Sequence, residues 1–208
     1  MAEQDFDEAR DKFTRALAYF EGANDPAAAA IVRNNLGIVE RRDPAGDKAL
    51  SEQHLQAALR LRRELGDRRG IAETLNNLGV LAHVQDDLDA ARSYYAETLE
   101  HEQALHHIHG AAIVLCNLGE IADAKNEHEP ACRLFAAAEH LFDAVKSVHA
   151  AYAADLLAGA AAKIENGAAL AASLRQSARS LSPEELIARA MKDELLSEDA
   201  FPNSEATG

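Results

Sequence analysis

The chain has 208 residues, with 35 Asp and Glu against 21 Lys and Arg, a formal net charge of −14, six Phe, four Tyr and no Trp. Such a length supports a sizeable core, and the shortage of aromatics leaves packing to Leu, Ala, Ile and Val, which favours helix on helix. The acidic balance argues against an independent nucleic-acid binder, because affinity for phosphate rests on Lys and Arg.

Asp7–Phe20 carries Ala9, Phe13, Ala16, Leu17 and Phe20 at spacings of three and four, the pattern of one helix face. Gly22, Asn24, Asp25 and Pro26 stop it. Further helical patterns run over about Ala27–Arg42 and Lys48–Leu65, separated by Asp43-Pro44-Ala45-Gly46-Asp47 and closed by Gly66. Ile71–Val84 and Leu88–His106 follow around a turn at Gln85-Asp86-Asp87. Ala111–Lys125 leads through Asn126 to Glu129, with Pro130 suited to a first helical turn, into a helix ending near Val145. His149–Ile164 and Ala168–Arg179 are two more helices. Ser182, Pro183 and Glu185 then form a strong helix start with a capping box, ahead of an apolar stripe of Leu186, Ile187, Ala190, Met191 and Leu195.

Asn-Leu-Gly occurs three times in these patterns, at Asn35-Leu36-Gly37, Asn77-Leu78-Gly79 and Asn117-Leu118-Gly119, spaced 42 and 40 residues apart. A fixed period in that range marks a helical solenoid. Gly in a helix costs about 0.5–1 kcal/mol relative to Ala, so its recurrence at one register implies a helix crossing too close for a Cβ. The Asn amide, at the same register, is either aimed at a ligand or ties adjacent repeats together.

With Leu-Gly placed seventh and eighth, Ala91 and Ala131 fall twentieth, Tyr95 and Phe135 twenty-fourth, and Ala138 twenty-seventh. Gly46, Asp86 and Asn126 fall in the turn, and all three residue types tolerate a left-handed backbone. The first repeat departs from this pattern, with Ser51 and Leu55 at the twentieth and twenty-fourth positions. The arrangement resembles the tetratricopeptide repeat (TPR) in a long variant of forty-odd residues. The resemblance implies an all-α fold, a right-handed superhelix of antiparallel helix pairs with C-terminal capping helices. Residues 1–165 are then the array, with a half repeat at 5–23, repeats at 27–66, 71–106 and 111–146, and a degenerate capping helix at 149–164. Residues 166–196 are capping helices, expected to cover the end of the solenoid, and 197–208 a disordered tail. On this reading the chain begins in mid-repeat.

Arg63-Glu-Leu-Gly-Asp67, the run Arg133–Leu141 and the Leu181-Ser-Pro-Glu-Glu185 helix start look like the C-terminal region of bacterial regulators of the LuxR or signal-transduction ATPase type. Within this chain there is no Gly-x-x-x-x-Gly-Lys-[Ser/Thr] run and no basic recognition helix.

In the TPR family the sixth residue of the first helix of each pair faces a concave groove, and its Asn commonly bonds the backbone of a bound peptide. The resemblance assigns that role to Asn35, Asn77 and Asn117, with Asn34, Asn76, Arg41, Arg42, Glu73, His83, Glu120 and Asp123 among the surrounding groove residues. Ile31, Ile38, Val80, Ile113 and Cys116 join them. Such a groove runs from basic to acidic and orients a partner whose acidic part lies near Arg41 and Arg42, unless these charges are simply solvated.

His101–His109 holds four imidazoles, but their spacing is poor for a shared metal, and a polar turn is the expectation. Cys116 and Cys132 lack metal or redox spacing and read as free thiols of a reducing compartment. The N-terminus has no apolar signal core, and the Ala-rich run at 150–170 is interrupted by Asp155, Lys163, Glu165 and Gly167, short of the ~20 apolar residues of a membrane span. A cytoplasmic protein without membrane contact is expected. Its expected function is a non-catalytic scaffold binding a protein or peptide, the sensor or interaction region of a bacterial regulator, with no cofactor and no metal. The alternatives are a self-association domain, homodimeric through the apolar face of Asp7–Phe20, and a metal-dependent enzyme in which the His101–His109 segment converges with carboxylates.

Overall fold

In the computed structural model, which describes residues 2–196 and side chains from Asp5 onward, a left-handed residue recurs every twenty positions. Gly66, Asp86, His106, Asn126, Lys146 and Asn166 have φ between 51° and 67°. Each reverses the chain at the end of one helix, and the next residue opens the following helix or turn. Asp67 accepts from Gly70 N at 2.9 Å and Asp87 from Ala90 N at 3.0 Å, satisfying backbone donors that a helix leaves unpaired at its start. Asp25 and Asp47 cap in the same way. His107 and Glu127 hold the equivalent position without a side-chain cap bond.

The described residues form α1 (Ala2–Gly22), α2 (Pro26–Arg42), α3 (Lys48–Leu65), α4 (Arg68–Val84), α5 (Leu88–Ala104), α6 (Ile108–Ala124), α7 (His128–Ala144), α8 (Ala150–Ala161), α9 (Gly167–Arg179) and α10 (Pro183–Met191), followed by a 3-10 turn at Glu194–Leu196. No strand occurs among them. The fold is all-α, an α-solenoid of helices packed in consecutive pairs. The tail expected at 197–208 lies outside the described residues. No helix among the described residues is long and apolar enough to cross a membrane. Both α4 and α6 begin three residues before their apolar pattern, because the reversal at Gly66 and His106 is complete within two residues.

Gly46 departs from the expected left-handed turn. Gly66 is the glycine with positive φ among the described residues, and Gly46 is needed for room: a Cβ there would stand 2.2 Å from the Glu40 carbonyl oxygen.

The described residues form two compact units, divided between His101 and Glu102. In the first, α1 packs on α2, α2 on α3, and α3 on α4. Leu55, Leu59, Ile71, Leu75, Leu78 and Leu81 make a contiguous core. The Asn-Leu-Gly glycines lie where the helices of a pair cross. A Cβ on Gly37 would stand 2.6 Å from Leu55 Cγ, and one on Gly79 2.5 Å from the Tyr95 ring. Real Cβ contacts do not come so close, so glycine is required for packing at these positions. Arg10 ties α1 to α2 through Glu40 and Asp43, each at 2.7 Å. Those bonds raise the Arg10 pKa, and the Arg10 bond is the main reason the Asp43 carboxyl is held below its usual value.

In the second unit α6 packs on α7 and α7 on α8, and Gly119 meets the Phe135 ring as Gly79 meets Tyr95. The chain then departs from the period. α8 is 12 residues long where α6 and α7 have 17. Gly167 approaches Ala161 so closely that a Cβ would stand 1.9 Å from its carbonyl oxygen. That contact folds α9 back onto α7 and α8. α10 and the 3-10 turn cover another part of α7, burying Leu186, Ile187, Ala190 and Leu195, with Met191 half-buried. The Ser182–Glu185 capping box is formed, with bonds of 2.8 and 3.2 Å.

Candidate functional site

Asn35, Ile38, Arg41 and Arg42 recur on α2 at the three- and four-residue spacing of one face. Asn35 and Ile38 are half-buried, Arg42 exposed and Ile31 53% exposed. The Asn35 side chain makes no hydrogen bond among the described residues. Arg41 has neither an acidic partner nor a side-chain hydrogen bond among them, and its Nε is shut off from solvent without a partner. Burial, and then the charge of Arg42, lowers the Arg41 pKa, with the Tyr95 hydroxyl acting in the opposite sense. A guanidinium in that setting is under-compensated, and an approaching anion would meet a strong, weakly screened donor.

The adjacent Asn34 is placed differently from the expectation. It is 1% exposed, its carbonyl accepts from Asn77 at 3.1 Å, and its amide donates to Glu73 at 3.2 Å. Both ends of Asn34 are therefore engaged within the protein, and it presents nothing to a groove ligand. The donor side of Asn77 is spent likewise, tying α4 to α2. The cause is the register between successive first helices, which sets the two amides side by side. Glu73 also accepts from Arg62 at 3.2 Å, and Arg62, 3% exposed, reaches the Gly70 carbonyl at 2.7 Å. In this chain of polar contacts, from Asn77 through Asn34 and Glu73 to Arg62, the Asn77 amide ties adjacent repeats together, the alternative to a ligand contact. No sequence motif marks the parts of Asn34, Glu73 and Arg62 in it. Asn76 is half-buried and not without a partner, and His83 is half-buried.

In the second unit Asn117 is half-buried and not without a partner. Glu120 accepts from the Tyr152 hydroxyl at 2.7 Å, which pushes the phenol pKa up to about 12. Asp123 bonds Lys163 at 2.6 Å and His128 at 2.7 Å. Partial burial of Asp123 favours its neutral form, but these two bonds outweigh it and hold the carboxyl below its usual value. Glu120 thus links α6 to α8, and Asp123 links it to α7 and to Lys163 just beyond α8, with a cleft of about 380 Å³ beside them. Cys116 is 3% exposed, and burial pushes its thiol up to about 12, so it packs as a small hydrophobe rather than a nucleophile. Ile113 and Val80 are half-buried.

The histidine segment makes a polar turn with two unforeseen neighbours, Phe142 and His149. His107 bonds Glu102 at 2.7 Å, and His109 stacks edge-on against Phe142 and His149 at centroid distances of 5.2 and 5.3 Å. No group of three His, Cys, Asp or Glu among the described residues is placed to hold one metal ion.

A comparison with curated proteins returns no match. The tetratricopeptide repeat model matches residues 34–102 and 70–144, overlapping spans that run from the first Asn-Leu-Gly through the helix carrying Phe135 and cover more than half the chain. With the paired helices and the glycine crossings at Gly37, Gly79 and Gly119, this places the chain in the tetratricopeptide repeat family.

Proposed function

We propose that this chain is a non-catalytic scaffold that holds an extended or helical peptide on the exposed faces of its first helices, as the sensor or interaction region of a bacterial regulatory protein. Tetratricopeptide repeats in general form protein-interaction scaffolds. The observation that carries the reading for this chain is Arg41, a half-buried side chain whose enclosed Nε lacks a partner and which has no counter-ion among the described residues, on the same helix as the unengaged amide of Asn35. An amide offers a donor and an acceptor to any peptide group, and the guanidinium adds a preference for an acidic side chain or carboxylate. The regulatory setting is supported by the likeness of Arg63–Asp67, Arg133–Leu141 and Leu181–Glu185 to the C-terminal repeats of LuxR-type and signal-transduction ATPase regulators. A peptide library displayed on phage and selected on the purified chain tests the binding role. Acidic peptides that lose affinity on Arg41→Glu with Arg42→Glu are expected, and selected peptides with unchanged affinity for that variant would remove the assignment.

Self-association is a second reading, favoured by α1. Phe6, Ala9, Phe13, Ala16, Leu17 and Phe20 stay half-buried and Tyr19 is 70% exposed, so its apolar face is only partly covered. Sedimentation across a concentration series separates the two: a monomer at every concentration counts against assembly through α1.

A further inference from the structure

The three Asn-Leu-Gly glycines are covered by Leu55, Tyr95 and Phe135. A fourth glycine stands at the same register, Gly159, forty residues after Gly119, and among the described residues nothing beyond its own chain neighbours and helix backbone lies within 4 Å of where its Cβ would be. The residue sixteen positions later, which in the second and third repeats supplies the covering ring, is Arg175. It turns instead to Glu139 on α7, bonding it at 3.0 and 2.8 Å, and α8 ends at Ala161, just past Gly159, where α4 and α6 run on to Val84 and Ala124. The space over Gly159 is left as a cleft of about 380 Å³, with Phe135, Leu156 and Ala160 beside the glycine and Glu120, Asp123, Asp155 and Lys163 around them.

We propose that this cleft between α6 and α8 takes the long cationic side chain, arginine or lysine, of a partner polypeptide, with its stem over Gly159 and its head among Glu120, Asp123 and Asp155. The inference rests on the peptide-binding reading and names the residue class that the cleft of the second unit selects. Three carboxylates stand around the cleft against one ammonium, and that ammonium is already held by Asp123. Asp155 is exposed and has no polar partner among the described residues. Tyr152 is 50% exposed, with its hydroxyl fixed on Glu120, so its ring is positioned for a cation. A side chain with an apolar stem and a charged tip matches an apolar floor under an acidic rim, whereas an acidic side chain would be repelled and an aliphatic one would leave the rim uncompensated.

The test uses the full chain, labelled with 15N, and the tripeptide acetyl-Ala-Arg-Ala-amide beside its citrulline counterpart, which keeps the shape and loses the charge. The arginine peptide is expected to shift the amides of Tyr152, Asp155, Gly159 and Lys163, binding roughly fivefold or more tightly than the citrulline peptide. Gly159→Leu fills the cleft with a side chain that starts in open space, and it is expected to abolish the shifts while the chain keeps or raises its thermal midpoint. The exposed Asp155→Asn is expected to weaken binding about threefold or more. Equal binding of both peptides, shifts confined to other helices, or binding that survives Gly159→Leu would each overturn the assignment. If phage-selected peptides still bind the α2 face while neither tripeptide perturbs α8, the cleft assignment falls alone. If nothing binds either face, the scaffold reading falls with it.

Discussion

The ring of Phe135 lies over Gly119 so closely that a Cβ on the glycine would stand 2.4 Å from ring Cε1, and Tyr95 covers Gly79 in the same manner at 2.5 Å. Neither ring can yield locally, since both residues are at most 1% exposed. Gly79→Leu is therefore expected to lower stability by overpacking, on the order of 1–3 kcal/mol, and Gly79→Ala to destabilise despite the better helix propensity of alanine. Gly159→Ala, at the same register over open space, is expected to stabilise by about 0.4–1 kcal/mol. Urea midpoints at unchanged slope check the pair of signs, and an equal sign for the two alanine variants would contradict the packing argument.

Asn77→Ala removes the donor that satisfies the buried carbonyl of Asn34. The orphaned acceptor is expected to cost about 1–3 kcal/mol. Asn35→Ala removes no internal hydrogen bond and is expected to stay within about 0.5 kcal/mol of the parent. Equilibrium unfolding of the two variants thus separates an asparagine that holds the repeats together from one free for a ligand.

His109 sets a pH dependence. Burial first, then the neighbouring His149 and His107, lowers its pKa below the ordinary value. A base with a depressed folded pKa favours folding while neutral. Its contribution is complete above the unfolded pKa of about 6.5 and is lost as pH falls from there toward the folded pKa. His109→Phe, which keeps a ring against Phe142, is expected to flatten the fall in melting temperature between about pH 7 and pH 5. An unchanged slope would assign that fall to other groups.

Ser182→Ala breaks the capping box that starts α10 and is expected to cost about 1 kcal/mol. Because Glu185 returns the bond to the Ser182 backbone, the double variant Ser182→Ala with Glu185→Ala is expected to cost less than the two single changes added together. Thermal unfolding of the four chains measures that coupling, and strict additivity would mean that the two bonds act independently.

Much of the scaffold was legible because its causes are local. A glycine repeated in a helix at one register has to be explained by a close crossing, and Leu55, Tyr95 and Phe135, counted to the twenty-fourth position, are the residues found at those crossings. The capping box of Ser182 and Glu185 was readable from four consecutive residues. What escaped the sequence depends on where one helix pair lies on the next. Asn34 looked like a groove residue because the bond that buries it comes from Asn77, 43 positions away. Nothing in the sequence singles out Arg62, and its burial follows from the bare backbone of Gly70, whose carbonyl it reaches. Left-handed residues at His106 and Lys146 carry no side-chain signature, since position in the twenty-residue period places them there. The open glycine at 159 shares its register with the covered ones, and what distinguishes it is Arg175 in place of a covering ring and the end of α8 at Ala161.

The most direct measurement of the binding role is calorimetric titration of phage-selected peptides into the parent chain, Asn35→Ala, and Arg41→Glu with Arg42→Glu. Acidic peptides with a roughly tenfold loss on the charge reversal and a smaller loss on Asn35→Ala are the predicted result. Peptides that bind all three chains alike, or a library that yields no binder, would contradict it.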